Sequence, residues 1–126
     1  MSGVCQTPDV VDVEPRNVAD LVHRAAVRDG GHPALVAGDR RLSWAELDRR
    51  VDLAAAALGR VGLAAGDRVA LQLGNTVDFV VGYFGTLRAG LVAVPVNVGY
   101  TLPELRYVLA DSGASLLVTS TVATID

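Results

Sequence analysis

Apolar residues recur three and four apart in the first half of the chain, then give way to short unbroken apolar runs, and the elements follow from that change. Val18, Leu21, Val22 and Ala25 fall on one face of a helix expected over residues 17–28, capped by Asn17 and ended by Gly30 and Gly31. Residues 34–37 are a short apolar run. Gly38, Asp39 and Arg40 then turn the chain, and Arg41 and Leu42 resume, which predicts a hairpin. Ser43 stands three residues before Glu46, the spacing of a capping box in which each side chain satisfies the other's free backbone N–H. The helix it opens carries Leu47, Val51, Ala54, Ala55 and Leu58 on one stripe and ends near Gly59 or Gly62.

From Gly66 the pattern changes. RVALQL (residues 68–73) reads as a strand, Gly74 and Asn75 turn the chain, and Thr76 caps a helix through Phe79, Val80, Tyr83, Phe84 and Leu87 that ends at Gly90. Residues 91–96 form a second strand, apolar on both faces as a buried parallel strand is. Thr101 and Glu104 repeat the capping-box spacing, with Pro103 in the first turn where its missing N–H does no harm. That helix runs to about Asp111, Gly113 stops it, and residues 115–119 make a third strand. The order strand–helix–strand–helix–strand with short links predicts an α/β fold, a parallel βαβαβ sheet with right-handed crossovers. Residues 1–16, with Pro8, Pro15 and no lasting periodicity, are expected to be a mobile leader, and residues 17–126 one partial domain. An open sheet expects another helix and more strands after the third, so with only residues 120–126 following, the architecture reads as incomplete.

Composition adjusts this picture in three ways. Hydrophobic residues are 51% of 126, ample for one core and more than a domain of this size usually carries. Either the core is rich in Ala and Val, or part of the apolar surface serves a contact outside this chain. The net charge of −3 argues against nucleic acid as a partner. All eleven basic residues are Arg, so no lysine chemistry, neither a Schiff base nor a phosphate clamp, arises from these residues. Cys5, the single cysteine, has no basic neighbour to hold a thiolate and reads as an incidental thiol. With no signal-peptide pattern and no apolar run of spanning length, the expected location is the cytoplasm.

Chemistry-bearing constellations are scarce. Neither GxxxxGK[ST] nor GxGxxG occurs, and the glycines between Gly82 and Gly90 read as close helix packing plus a C-cap. His23 and His32 lie nine apart with no set of partners to complete a metal site. Ser43 is explained as a cap rather than a nucleophile. Asp48, Asp52, Asp67 and Asp78, interspersed with Arg49, Arg50 and Arg68, read as a solvated, ion-paired face. One place has site potential, because ligands of open parallel sheets collect beyond the strands' carboxyl ends near a topological switch. Gly74, Asn75 and Thr76 follow the first strand there, and Asn97, Val98 and Gly99 the second; the simpler reading is turn and cap residues.

LSWAELDRRV (42–51), GLAAGDRVALQLGNTVDFVVGYFGTLRAGLVAVPVN (62–97) and PELRYVLADSGASLLVT (103–119) together resemble the adenylate-forming, AMP-binding superfamily, most closely its acyl-CoA synthetases. Residues 42–47 are similar to the family's first core motif, and Leu87, Arg88, Ala89 and Gly90 through Val94 and Pro95 to its second. The resemblance implies part of the large N-terminal domain of a ligase that uses ATP, Mg²⁺ and coenzyme A to turn a fatty or other carboxylic acid into acyl-CoA through an acyl-AMP. In such enzymes a phosphate loop ending in Lys-Gly, a Thr–Glu motif, a ribose-binding Asp and a C-terminal-domain Lys follow the matched segment. None has a matching position here, so no catalytic, cofactor-binding or metal-binding residue is assigned, and the chain alone is expected to bind no cofactor and to be inactive. Two departures stand inside the match: Gly74 where the family usually has Pro, and Val98 and Gly99 where Pro followed by another residue is common; both loosen turns. The alternative is a non-catalytic α/β module that dimerises, or pairs with a separately encoded remainder, through exposed apolar surface.

Overall fold

A computed structural model describes residues 17–74 and 76–120; the expected leader with Cys5, the turn residue Asn75 and residues 121–126 lie outside them. Along the chain run α1 (Ala19–Asp29), β1 (Pro33–Ala37), β2 (Arg40–Ser43), α2 (Trp44–Gly59), β3 (Arg68–Gln72), α3 (Val77–Arg88), β4 (Val92–Pro95), α4 (Leu102–Ser112) and β5 (Ala114–Thr119). The expected hairpin is β1 and β2, antiparallel, with Ala37 opposite Arg40 across Gly38 and Asp39.

Both capping boxes form. Ser43 Oγ accepts from the Glu46 N–H at 3.1 Å while Glu46 Oε1 accepts from the Ser43 N–H at 2.8 Å. Thr101 and Glu104 repeat the exchange at α4, whose end is closed by Gly113 in the left-handed conformation. The Glu46 carboxyl is held below its ordinary 4.5, first by the bond from the Ser43 backbone, then by that from its side chain. A lowered folded-state pKa means that the contribution is complete above the unfolded value and is lost as pH falls through the folded one. Glu46→Gln keeps an acceptor oxygen but does not titrate. Wild type should therefore lose thermal midpoint relative to Glu46→Gln on acidification through the carboxylate range; a constant difference would contradict this. Ser43→Ala, which removes the cap itself, should cost about 1 kcal/mol at neutral pH.

Helix α1 departs from the predicted face. Ala19 and Val22 are buried, while Val18 and Leu21 are exposed. Asn17 still serves the helix start, its Oδ1 accepting from the Ala19 N–H at 2.8 Å and its N–H donating to Asp20 Oδ2 at 3.2 Å. Its Nδ2 also donates to the Leu87 carbonyl of α3. That tie turns the small Ala19 inward and leaves the bulkier Val18 and Leu21 outside. Val22 then joins Leu47 and Val51 of α2 in one cluster.

The sheet order is β4-β3-β5, all parallel. Going from β3 out to β4 and then back across β3 to β5 requires, with right-handed crossovers, one connecting helix on each face. The core divides that way. Val69 and Leu71 face Leu58, Phe79 and Tyr83, whereas Ala70, one residue out of phase, packs with Leu105, Val108 and Leu109 of α4. Strand β4 corrects the expectation of burial on both faces. It is an edge of the three-stranded sheet, with Val92 44% exposed and Pro95 exposed, and Pro is tolerated at such an edge. Among the described residues no helix is long and apolar enough to cross a membrane.

Three helices share one joint. Gly85 of α3 is buried, and a Cβ there would lie 2.6 Å from the Ala54 Cβ of α2, so the glycine sets how closely the two helices approach. Gly90 follows α3 at φ 81°. The expected reading of these glycines as packing and capping residues holds. Beside them Arg88 reaches back to both earlier helices. Its Nη2 donates to the Ala19 carbonyl at 2.9 Å, and its Nη1 to Asp52 Oδ1 at 2.8 Å and to the Asp48 carbonyl at 3.2 Å. Nη2 also lies 2.8 Å from Asp48 Oδ1, at an angle outside hydrogen-bond geometry, so that oxygen is held by charge. His23 Nδ1 sits 3.1 Å from Asp48 Oδ2. Of the four acids expected on a solvated face with Arg49, Arg50 and Arg68, Asp48 and Asp52 thus pair with Arg88 instead, while Asp67 Oδ2 accepts from the Ala64 N–H at 2.8 Å.

Candidate functional site

The strand ends on which sequence reasoning placed site potential come together. The chain leaves β3 for α3 on one face and leaves β4 for α4 on the other, so the two exits diverge and open a cleft between them. Gly74, Phe79, Pro95, Val96, Asn97 and Val98 line its roughly 430 Å³. Gly74, Asn97 and Val98 were expected here. Thr76 instead caps α3, accepting from the Phe79 N–H at 3.2 Å and donating to the Leu73 carbonyl at 3.2 Å. With Phe79 it also bounds a smaller apolar notch of about 230 Å³ under Leu35 and Ala37 of the hairpin. Asn75 lies outside the described residues.

On the β4 side the rim is a tight turn. Asn97 Oδ1 accepts from the Gly99 N–H at 2.7 Å and the Asn97 carbonyl accepts from the Tyr100 N–H at 3.3 Å, so one asparagine shapes the turn with side chain and backbone together. The two departures from the family pattern face each other. Gly74 sits at φ +68°, a conformation closed to proline, whose ring fixes φ near −65°. A Cβ on Gly74 would lie 3.6 Å from Val98 Cγ1. Together they shape a turn that a proline at position 74 cannot form.

Sequence reasoning missed two kinds of residue. The sequence pattern places Phe79 on a helix and Pro95 in a strand, yet each closes a wall of the cleft; the available signal was their nearness to a strand's carboxyl end. Gln72 was read only as a strand residue. It is 7% exposed, donates from Nε2 to the Asn97 carbonyl at 3.2 Å and accepts at Oε1 from Thr119 Oγ1 at 3.1 Å. A lone amide closing the apolar run Val69, Ala70, Leu71 was the signal available for it.

The cleft's chemistry is that of a mostly apolar wall with one amide. Among the described residues no three of His, Cys, Asp and Glu converge to hold a metal, and the chain has no lysine. These residues do not fit a magnesium–triphosphate group, which needs oxygen ligands and fixed cationic donors. His23 and His32, Ser43 and the acids take no part in the cleft.

Residues 22–126 match the family of AMP-binding enzymes. Over 100 residues the chain is 46% identical to a salicyl-AMP ligase / salicyl-S-ArCP synthetase of Mycobacterium tuberculosis, covering 79% of this chain and 17% of that protein. Over 104 residues it is 38% identical to a long-chain-fatty-acid–CoA ligase of Salmonella typhimurium, covering 82% of this chain and 18% of that protein. It therefore spans less than a fifth of the length of these two curated relatives. Among solved structures, it is similar to the inhibitor-bound N-terminal domain of FACL13 from Mycobacterium tuberculosis, with TM-score 0.77 and 31% identity over 82% of this chain and 26% of that one. It is also similar to the N-terminal subdomain of NpsA from Klebsiella oxytoca in complex with 3-hydroxybenzoyl-AMSN, with TM-score 0.80 and 26% identity over 85% of this chain and 27% of that one.

Proposed function

The chain belongs to the family of AMP-binding enzymes and spans part of the N-terminal domain of an adenylate-forming ligase, and on that premise we propose that it is a scaffold segment of an ATP-dependent ligase. That ligase joins a fatty or other carboxylic acid to coenzyme A through an acyl-AMP, in the cytoplasm. The observation that carries this reading is the cleft at the diverging ends of β3 and β4, built on the family's fold from residues that offer no phosphate or metal ligands. In this reading the segment supplies a wall and a packed foundation. Phosphate charge, Mg²⁺ and the thiol acceptor are handled by other parts of the ligase.

The 46% identity to a salicyl-AMP ligase favours a second reading of the acid, as an aryl rather than a long-chain one. The apolar excess has a place as well. Val92, Val98, Tyr100 and Leu102 are exposed along the β4 edge and the link to α4, where further parts of the ligase would dock.

A chimera tests the scaffold reading. Residues 22–126 replace the matching segment of the Mycobacterium tuberculosis salicyl-AMP ligase, and salicylate-dependent pyrophosphate release is measured. The chimera should retain that release, because the exchanged segment carries no catalytic group. A chimera that folds, shown by a cooperative melt, yet releases no pyrophosphate would place chemistry inside the segment and overturn the reading.

A further inference from the structure

We propose that Gln72 is a positioning residue, a side-chain rung that sets the rim of the β3–β4 cleft and couples it to the end of β5. The need for such a rung follows from the topology. Main-chain pairing of β3 with β4 continues to the Val96 N–H, which donates to the Leu71 carbonyl at 2.8 Å. One residue further the two chains must part for opposite faces of the sheet, and the backbone ladder ends. There the Gln72 amide takes over. Its Nε2 reaches the Asn97 carbonyl, the same oxygen that accepts from Tyr100 to close the rim turn. Its Oε1 is engaged by Thr119 Oγ1, directly across the β3–β5 pairing. One buried amide therefore joins the carboxyl ends of all three strands of the sheet.

Packing alone does not account for a glutamine at this position. The other inward positions of β3 are Val69, Ala70 and Leu71, and an apolar residue would fill the space without desolvating an amide. The amide carries N–H donors and an acceptor oxygen side by side on Cδ, so one side chain donates to the Asn97 carbonyl while accepting from the Thr119 hydroxyl. Holding Oε1 with the Thr119 hydroxyl fixes the plane of the amide, and this aims Nε2 at Asn97. The Asn97–Gly99 rim is thus set partly by a residue of β5 that does not border the cleft.

The test is amide hydrogen exchange on the 126-residue chain, read at Gly99 and Tyr100 in the rim and at Leu47 and Val51 in α2 as internal references. It is measured without acid or ATP, so it uses the ligase reading only for the purpose of the cleft, and failure of one leaves the other standing. Gln72→Leu should speed exchange at Gly99 and Tyr100 by about tenfold, with the α2 references changed far less. Gln72→Glu, which keeps an oxygen for Thr119 but loses the donor to Asn97, should do the same at the rim. Thr119→Val should speed rim exchange by about threefold in the wild-type background and by clearly less on top of Gln72→Leu, because the part of its effect that reaches the rim passes through the amide. If Gln72→Leu does not fold, the Gln72→Glu and Thr119→Val pair carries the same comparison. Equal acceleration at the rim and in α2 would make Gln72 a core residue only. That result, an unmoved rim, or a Thr119→Val effect that is independent of Gln72 would each overturn the proposal.

Discussion

Arg88→Ala is expected to destabilise the chain by about 3 kcal/mol, lowering the thermal midpoint by about 10 °C. The size follows from what the guanidinium leaves behind. Asp48 is only 15% exposed and would lose its guanidinium partner, leaving His23 beside it, and the Ala19 and Asp48 carbonyls would each lose a donor. Arg88→Met separates charge from bulk, since it preserves most of the apolar stem. It should lose most of the same stability, because the loss lies in the uncompensated carboxylate. Asp52 is 65% exposed, so Asp52→Asn should cost well under about 1 kcal/mol. Adding Asp48→Asn to Arg88→Met should recover part of the loss, as both charges are then gone. Additive losses in that pair would show that Arg88 acts by packing rather than by holding Asp48.

Gly85→Ala is the second large effect, about 2 kcal/mol of destabilisation despite alanine's better helix propensity. The added methyl would meet the Ala54 Cβ at 2.6 Å, closer than two carbons can sit, with the α2 backbone just behind it. Relief requires α2 and α3 to move apart, and that would loosen the joint that Arg88 closes. Ala54→Gly removes the opposing methyl, so the double variant should regain much of the stability in a urea melt, less the cost of glycine inside α2. No recovery would mean that the Ala54 methyl is not the obstacle.

How far these features were legible depended on the range of the interaction. Both capping boxes, the hairpin over Gly38 and Asp39, and the order of strands and helices are local patterns, and each formed where the spacing placed it. The strand order was not local. Within residues 91–96 only Pro95 pointed to an edge strand, against an otherwise unbroken apolar run, so the exposure of Val92 emerged only once β5 took the other side of β3. Arg88 was hidden for the same reason. Its partners lie 36 to 69 positions earlier, and nearer charges at Arg49 and Arg50 offered a simpler pairing. In the cleft, the general rule for parallel sheets found the right strand ends and so Gly74, Asn97 and Val98. It could not supply Gln72, whose role exists only once three strand ends meet.

Whether these residues form a scaffold or a catalytic unit is decided by giving the purified 126-residue chain ATP, Mg²⁺, coenzyme A and either salicylate or palmitate. Acid-dependent pyrophosphate release and acyl-AMP are then measured. Neither product should rise above the acid-free background with either acid. Acyl-AMP formed in proportion to the chain, and unaffected by further purification, would mean that these residues do catalyse adenylation.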